Sequence, residues 1–206
     1  MQTIPEKTVI VTGSNKGIGY WIIASMMKQK LPYNIIMCSR SQENGNLAIS
    51  ELTSQPWGLP YANRISCGVL DLTSNSSITE FKAWFSATHG KADVIVNNAG
   101  FAYKGSAFNS TVLKETFATN YDGTIYFQSQ MEDLMSANGK LIYIASGAGL
   151  MTLDRLGQNL QARFMDKDLG PDGLLALKTE MCADLDSETF EAKGWTNWGY
   201  GLSKMF

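Results

Sequence analysis

Tyr200 and Lys204 stand four residues apart, a spacing that on a helix stacks their side chains on one face and brings an ammonium towards a phenol. A cation so placed stabilises phenolate, and a phenol made more acidic can hand a proton to a carbonyl oxygen and recover it. Ser146, delivered by an apolar run that reads Leu141-Ile142-Tyr143-Ile144-Ala145, offers a hydroxyl to hold that oxygen. Asn120 falls inside a helical pattern where asparagine is a misfit. Its amide can engage a backbone carbonyl or a water; a solvent-facing asparagine is the plainer alternative. A Tyr/Lys pair alone is usually surface decoration, so the weight of this one comes from the motifs that precede it.

The first of those motifs is Thr8-Val9-Ile10-Val11-Thr12 running into Gly13-Ser14-Asn15-Lys16-Gly17-Ile18-Gly19, which reads as strand, tight turn and helix. Gly13 permits the sharp turn, Gly17 removes a Cβ that would hold off a ligand, and Gly19 lets the helix pack close to the strand. Free N–H groups at the helix start, with the positive end of its dipole, suit the pyrophosphate of a dinucleotide. A nucleotide triphosphatase loop would need Gly-Lys followed by Ser or Thr, whereas Lys16 here precedes its glycine and Ile18 follows it. A bare glycine turn is the remaining alternative. At the end of the second strand, where an NAD site places a carboxylate on the ribose 2′-hydroxyl, the chain reads Ser39-Arg40-Ser41. Arg40 and Lys16 can clamp a 2′-phosphate, so the expected cofactor is NADP(H). Asp71, followed by Leu72, ends the third strand and can accept from an adenine amino group; a loop or cap carboxylate is nearly as good a reading. Asn97-Asn98-Ala99-Gly100 ends the fourth: its amides can tie strand ends together, while Ala99 and Gly100 allow a flat ring to come close.

These segments need a scaffold, and the pattern supplies one. Apolar runs at 8–12, 34–38, 65–70, 93–96 and 140–145 alternate with helical stretches at 18–30, 42–55, about 77–88 and about 111–135. That alternation predicts an α/β fold with a doubly wound parallel sheet of Rossmann type, in one domain spanning residues 1–206. Ser77-Ile78-Thr79-Glu80 reads as a capping box opening the third helix, and His89 at its end as a surface residue complementing the helix dipole. Between about 150 and 194 the chain leaves the sheet for helices, with Leu174, Leu177, Met181 and Leu185 on one stripe. With 206 residues, 44% hydrophobic and a net charge of −2, the composition gives no electrostatic case for nucleic acid or an anionic membrane. A small-molecule partner is favoured. Met1–Glu6 is a short lead into the first strand, without a signal peptide or an apolar span long enough to cross a bilayer. Cys38, Cys67 and Cys182 lack metal-ligand spacing, which predicts reduced thiols in a cytoplasmic setting and no metal site.

Taken together, Thr12-Gly13-(x)3-Gly17-x-Gly19, Asn97-Asn98-Ala99-Gly100, Ser146 and Tyr200-(x)3-Lys204 resemble the short-chain dehydrogenase/reductase family. Thr-Gly-Ser-Asn-Lys-Gly-Ile-Gly at 12–19, Asn-Asn-Ala-Gly-Phe-Ala-Tyr-Lys at 97–104, Gly194-Trp195 and the long helical interval before Tyr200 resemble its carbonyl reductase subgroup. The resemblance implies NADPH-dependent reduction of an aldehyde, ketone or quinone. Tyr200 would be the acid, Lys204 would lower its pKa and bind the nicotinamide ribose, Ser146 would orient the carbonyl, and Asn120 would help to relay the proton. Family members continue past the Tyr–Lys helix with further strands that this chain does not show. The expectation is therefore a chain lacking the family's C-terminal part: a monomer when complete, or one whose 141–145 edge is covered by a partner chain. A non-catalytic, NADP-binding scaffold subunit is the alternative.

Overall fold

The computed structural model describes residues 7–105 and 107–206; the N-terminal lead Met1–Glu6 lies outside the described residues. Two compact units are present, the first running to Gly100 and taking in Gly123–Ile144, the second formed by Phe101–Asp122 and Ala145–Phe206.

The first unit is a parallel sheet of five strands flanked by helices, and its elements follow from the alternation in sequence. Strands β1 (Lys7–Val11), β2 (Tyr33–Ser39), β3 (Ile65–Val69), β4 (Ala92–Asn97) and β5 (Met135–Tyr143) lie in the order β3-β2-β1-β4-β5. Helices α1 (Gly17–Lys28), α2 (Gln42–Thr53), α3 (Asn75–Thr88) and α5 (Gly123–Met131) connect them. β1 sits centrally, pairing Val9–Val11 with Ile35–Met37 on one side and Val94–Val96 on the other. Such strands are covered on both faces, which is why they read as unbroken apolar runs. Val9, Val11, Ile35 and Met37 pack with Ile23 and Met27 of α1 and Leu52 of α2. Ile10, Ile36 and Ile95 face Phe81 and Phe85 of α3 and Phe127 of α5.

β5 is different. It begins at Met135 rather than near residue 140, its register with β4 slips between Ala92 and Val94, and Leu141, Ile142 and Tyr143 are 38%, 44% and 48% exposed. Consecutive strand residues point to opposite faces, so this edge strand is uncovered on both.

Two sequence expectations on α3 change. The helix opens one turn before the expected capping box: Ser74 is the N-cap, its hydroxyl accepting from Ser77 N–H at 3.3 Å, and the Ser77 hydroxyl instead accepts from Asp71 N–H. Ser-Asn-Ser-Ser offers several competent caps in a row, and the first is used. His89 stacks on Phe85 and meets Trp84 edge-on, and burial lowers its pKa. A dipole-complementing imidazolium is thus disfavoured, and the ring serves as packing.

The second unit is helical: α4 (Ser110–Phe117), a π turn (Ala118–Asp122), α6 (Gly147–Leu153), α7 (Gln158–Phe164), α8 (Pro171–Asp186) and α9 (Gly199–Met205). Pro171 opens α8 at the position where its missing N–H costs nothing. Leu177 and Met181 of the expected stripe are buried with Leu113, Phe117, Leu160, Trp195 and Leu202, while Leu174 and Leu185 are half-buried. Asp184, on the same helix, is 2% exposed. Its carboxylate accepts from the Trp195 indole N–H at 2.9 Å and from Lys193, tying α8 to the segment that leads into α9.

Candidate active site

In the first unit the glycine turn is built as its residue types require. Gly13 and Gly17 have φ of +58° and +62°, the left-handed region that glycine enters without strain. A methyl at Gly13 would lie 2.9 Å from Ala99 Cα, and one at Gly19 would lie 2.6 Å from Asn98 Nδ2, so both positions are closed by packing. Around Gly17 nothing among the described residues lies within 4 Å of the methyl position. Its backbone is therefore open to a ligand.

Thr12, which opens the glycine motif and has no role assigned from sequence, organises the neighbouring strand ends. Its hydroxyl accepts from the N–H groups of Asn98 and Ala99 at 3.0 and 2.9 Å, and the Asn98 amide returns two bonds, to Thr12 O at 2.8 Å and Gly13 O at 3.2 Å. Ser14 is fully buried: its hydroxyl donates to Val11 O at 2.7 Å and accepts from Cys38 N–H at 3.2 Å. Its side chain thus locks the turn to β2 rather than facing a ligand. Asn97 is 6% exposed, and neither of its amide atoms has a partner among the described residues.

Lys16, Gly17, Ile18 and Arg40 are exposed and Asn15 half-buried, and neither cation meets a carboxylate among the described residues. Asp71 accepts from both the N–H and the hydroxyl of Thr73 through one oxygen, at 2.9 and 2.7 Å, while Leu72 is buried beneath it. One carboxylate oxygen is therefore committed to the loop. An open glycine turn with two cations that meet no carboxylate among the described residues, and no acid at the end of β2, fits a dinucleotide carrying a 2′-phosphate.

In the second unit Asn120 lies within the π turn, which accounts for an asparagine in a helical stretch. Its Oδ1 accepts from Phe101 N–H at 2.9 Å, and its Nδ2 donates to Phe101 O and to Ser203 Oγ, each at 2.9 Å. Ser203 donates in turn to Tyr200 O at 2.9 Å. Both amide hydrogens of Asn120 are spent, so its side chain braces α9 and the 101–104 loop and carries no transferable proton. The end of the π turn is anchored by an ion pair between Asp122 and Lys178 of α8. Burial and the adjacent Asp122 push the Tyr121 phenol up, the wrong direction for a proton donor at neutral pH.

Ser146 caps α6, its hydroxyl oxygen accepting from Ala148 N–H at 3.2 Å while its hydrogen stays available to donate. Tyr200 and Lys204 are half-buried on α9, four residues apart on one helix, and Ser203 between them is the link to Asn120. The glycines that let α6 and α9 meet, Gly149 and Gly201, were not singled out from sequence; a glycine inside a short helix was the signal available.

A parallel α/β sheet with this glycine turn defines a dinucleotide-binding protein, and comparison makes the class specific. Residues 7–157 match the family model described as short chain dehydrogenase, and the chain belongs to that family of oxidoreductases. It is 26% identical over 203 residues to carbonyl reductase [NADPH] 3 of Rattus norvegicus, covering 97% of this chain and 70% of that protein. Over 199 residues it is 25% identical to carbonyl reductase [NADPH] 1 of Bos taurus, covering 95% and 69% respectively. Among solved structures it is similar to menthone neomenthol reductase from Mentha piperita, with a TM-score of 0.85 at 18% identity over 98% of this chain and 82% of that one. ElxO with NADP bound matches 70% of this chain and 57% of its own at 26% identity and a TM-score of 0.57. Among the described residues no helix is long and apolar enough to cross a membrane.

Proposed function

We propose that this chain is an NADPH-dependent reductase of small carbonyl compounds, an aldehyde, ketone or quinone, acting in the cytoplasm. The observation that carries the reading is that Asn120, Ser146, Tyr200 and Lys204 all stand in the second unit, with Asn120 bonded through Ser203 to the helix that bears the Tyr–Lys pair. The first unit contributes the glycine turn for a pyrophosphate and Lys16 with Arg40 for a 2′-phosphate; Ala99 and Gly100 leave room for a ring. NADPH, when bound, supplies the hydride. The chain's own residues manage the oxygen: Ser146 donates from its free hydroxyl hydrogen to hold the carbonyl, and Tyr200 delivers the proton. Lys204, one turn along the same face, holds a ribose hydroxyl and favours the phenolate that remains. The curated relatives named above are carbonyl reductases [NADPH], and ElxO was solved with NADP, which supports the cofactor choice.

NADPH consumption tests this with a quinone and an aldehyde as trial substrates, comparing the parent chain with Tyr200→Phe. Turnover in the parent that is lost in the variant is expected; a parent that binds NADPH yet reduces neither substrate removes the reductase reading.

One observation favours a second reading. The exposed Leu141, Ile142 and Tyr143 of β5 suit a chain that binds NADP and gives this edge to a partner rather than turning over substrate. NADPH binding without reduction, together with a stoichiometric partner lost on Ile142→Lys substitution, would select it.

A further inference from the structure

The helices that carry Ser146 and the Tyr200–Lys204 pair touch in an unusual way. A methyl added at Gly149 of α6 would fall 2.4 Å from Lys204 O and 2.8 Å from Lys204 C, atoms of the α9 backbone itself. One added at Gly201 of α9 would fall 2.0 Å from Thr152 Oγ1 and 2.7 Å from the Trp198 ring. Real side-chain carbons do not approach other atoms so closely, so a side chain at 149 would have to move the α9 backbone, and one at 201 would have to move the Thr152 and Trp198 side chains. Thr152 is fully buried at this crossing, with no conventional hydrogen-bond partner for its hydroxyl among the described residues. A buried hydroxyl left unbonded costs free energy, so the crossing is held by its shape rather than by that group. Trp198 closes the end of the contact, its ring over Gly201 and the Arg155 guanidinium 5.5 Å from the ring centre.

Ser146 begins α6 one turn before Gly149, and Lys204 is the residue whose carbonyl Gly149 meets. We propose that Gly149 and Gly201 are positioning residues, which set the placement of the Ser146 hydroxyl relative to the Tyr200–Lys204 pair by letting α6 and α9 meet closely, Gly149 against the Lys204 carbonyl and Gly201 against the Thr152 hydroxyl. The inference rests on the reductase reading for its consequence in catalysis, though not for the geometry. Neither glycine touches substrate or cofactor. Any side chain at 149 has to push α6 off the Lys204 carbonyl, and the displacement is carried directly to the cap residue Ser146.

The test is a double-mutant cycle in the full chain with NADPH and a quinone. Gly149→Ala should lower kcat about 100-fold, the scale of a misplacement of about 1 Å, with the affinity for NADPH measured by fluorescence unchanged. Ser146→Ala should then cost much less in the Gly149→Ala background than in the parent, because the hydroxyl it removes is already out of place. Equal costs in both backgrounds would overturn the positioning role while leaving the reductase reading intact. Crystal structures of parent and Gly149→Ala chains give a readout independent of turnover. A changed placement of Ser146 Oγ relative to Tyr200 Oη is expected, and an unchanged one overturns the inference. A parent without turnover removes the reductase reading, and the crystallographic comparison still decides the geometry. Should Gly149→Ala fail to fold, Gly201→Ala serves: it should lose rate, and Thr152→Ala added to it, which removes the nearest atom while the Trp198 ring remains at 2.7 Å, should restore part of it. A folded double variant without recovery counts against the proposal.

Discussion

Asn120 and Phe101 exchange a pair of hydrogen bonds, Phe101 N–H to Asn120 Oδ1 and Asn120 Nδ2 to Phe101 O, both at 2.9 Å. The side-chain amide thereby imitates the backbone of a missing strand neighbour and satisfies both polar groups of a loop residue. Asn120→Leu, close in volume, should leave Phe101 N–H and O unpaired and lose the tie to Ser203. A stability loss of about 1–2 kcal/mol is expected, the net worth of hydrogen bonds that water can replace at exposed Phe101, together with greater mobility of residues 101–104. Urea unfolding checks the first and hydrogen exchange the second; a loss below about 0.5 kcal/mol would show the amide to be dispensable.

The assignment of NADPH turns on Arg40 and Lys16. Arg40→Asp should exchange the preference for NADPH over NADH, since losing a charge-assisted contact to phosphate costs about 1.5–3 kcal/mol, more than tenfold in affinity. Titrating both cofactors against both chains checks it. Equal binding of NADH and NADPH by the parent would remove the basis of the assignment.

Tyr200→Phe removes a hydroxyl and little volume. Reduction should fall by about 10²–10⁴-fold, the range of general acid catalysis, with cofactor binding nearly unchanged. A variant that keeps most of its rate would exclude Tyr200 as the acid.

Acid stability should depend on Asp184. Burial by itself would raise this carboxyl, but hydrogen bonds from Lys193 and Trp195 and the charges of Lys193 and Arg163 outweigh it and hold the pKa below the usual value. A group depressed on folding contributes fully above its unfolded pKa, about 3.9 for aspartate. The contribution fades as pH falls through the lower, folded value. Asp184→Asn should therefore cost about 1.5–3 kcal/mol at neutral pH, the scale of hydrogen bonds to a charged group, since half-exposed Lys193 keeps water as a partner. The deficit should shrink below pH of about 4. Urea midpoints measured across that range decide it; a deficit independent of pH would place the effect in packing instead.

The uncovered edge gives a prediction about self-association. Consecutive apolar residues on an open strand template pairing with other chains, and lysine is a common guard against this. Ile142, 44% exposed, can be replaced by Lys without burying the charge. Sedimentation should show concentration-dependent association in the parent and markedly less in the variant, with thermal unfolding unchanged; a monomeric parent would contradict it.

The sheet was legible because each strand is an unbroken apolar run followed by a break, and the glycine turn because a positive φ, a close contact and an open approach each call for glycine. Helix starts were less so. Ser74, Ser76 and Ser77 are all able to cap, and only the position of Ile78, Phe81 and Phe85 against the sheet selects among them. The early half of β5, Ser-Ala-Asn-Gly, has the composition of a turn and is held extended by its pairing with β4 across an irregular register. Asp184 stands beside the stripe of α8, where a charged residue ordinarily faces solvent; its burial follows from Lys193 and Trp195 arriving from nine and eleven residues later, which spacing along one helix does not reveal. Tyr200, Lys204, Ser146 and Asn120 were picked out by type and order. Thr12 and Ser203, which hold the strand ends and Asn120 in place, have common residue types in unremarkable positions and emerge only when distances are known.

The π turn at Ala118–Asp122 has a consequence for the chain as a ruler. A π turn accommodates one residue more than an α-helical turn, and each helical residue advances the direction of its side chain by about 100°. Phe127 and Met131, on the helix that follows, are buried against the sheet. Deleting any one residue between 118 and 122 would let the helix run on without interruption, and would change by about 100° the phase of the residues after the turn relative to those before it. Loss of a residue without side-chain partners of its own there, Ala118 for example, should thus be tolerated far worse than its substitution, a phase error whose cost falls away from the altered position.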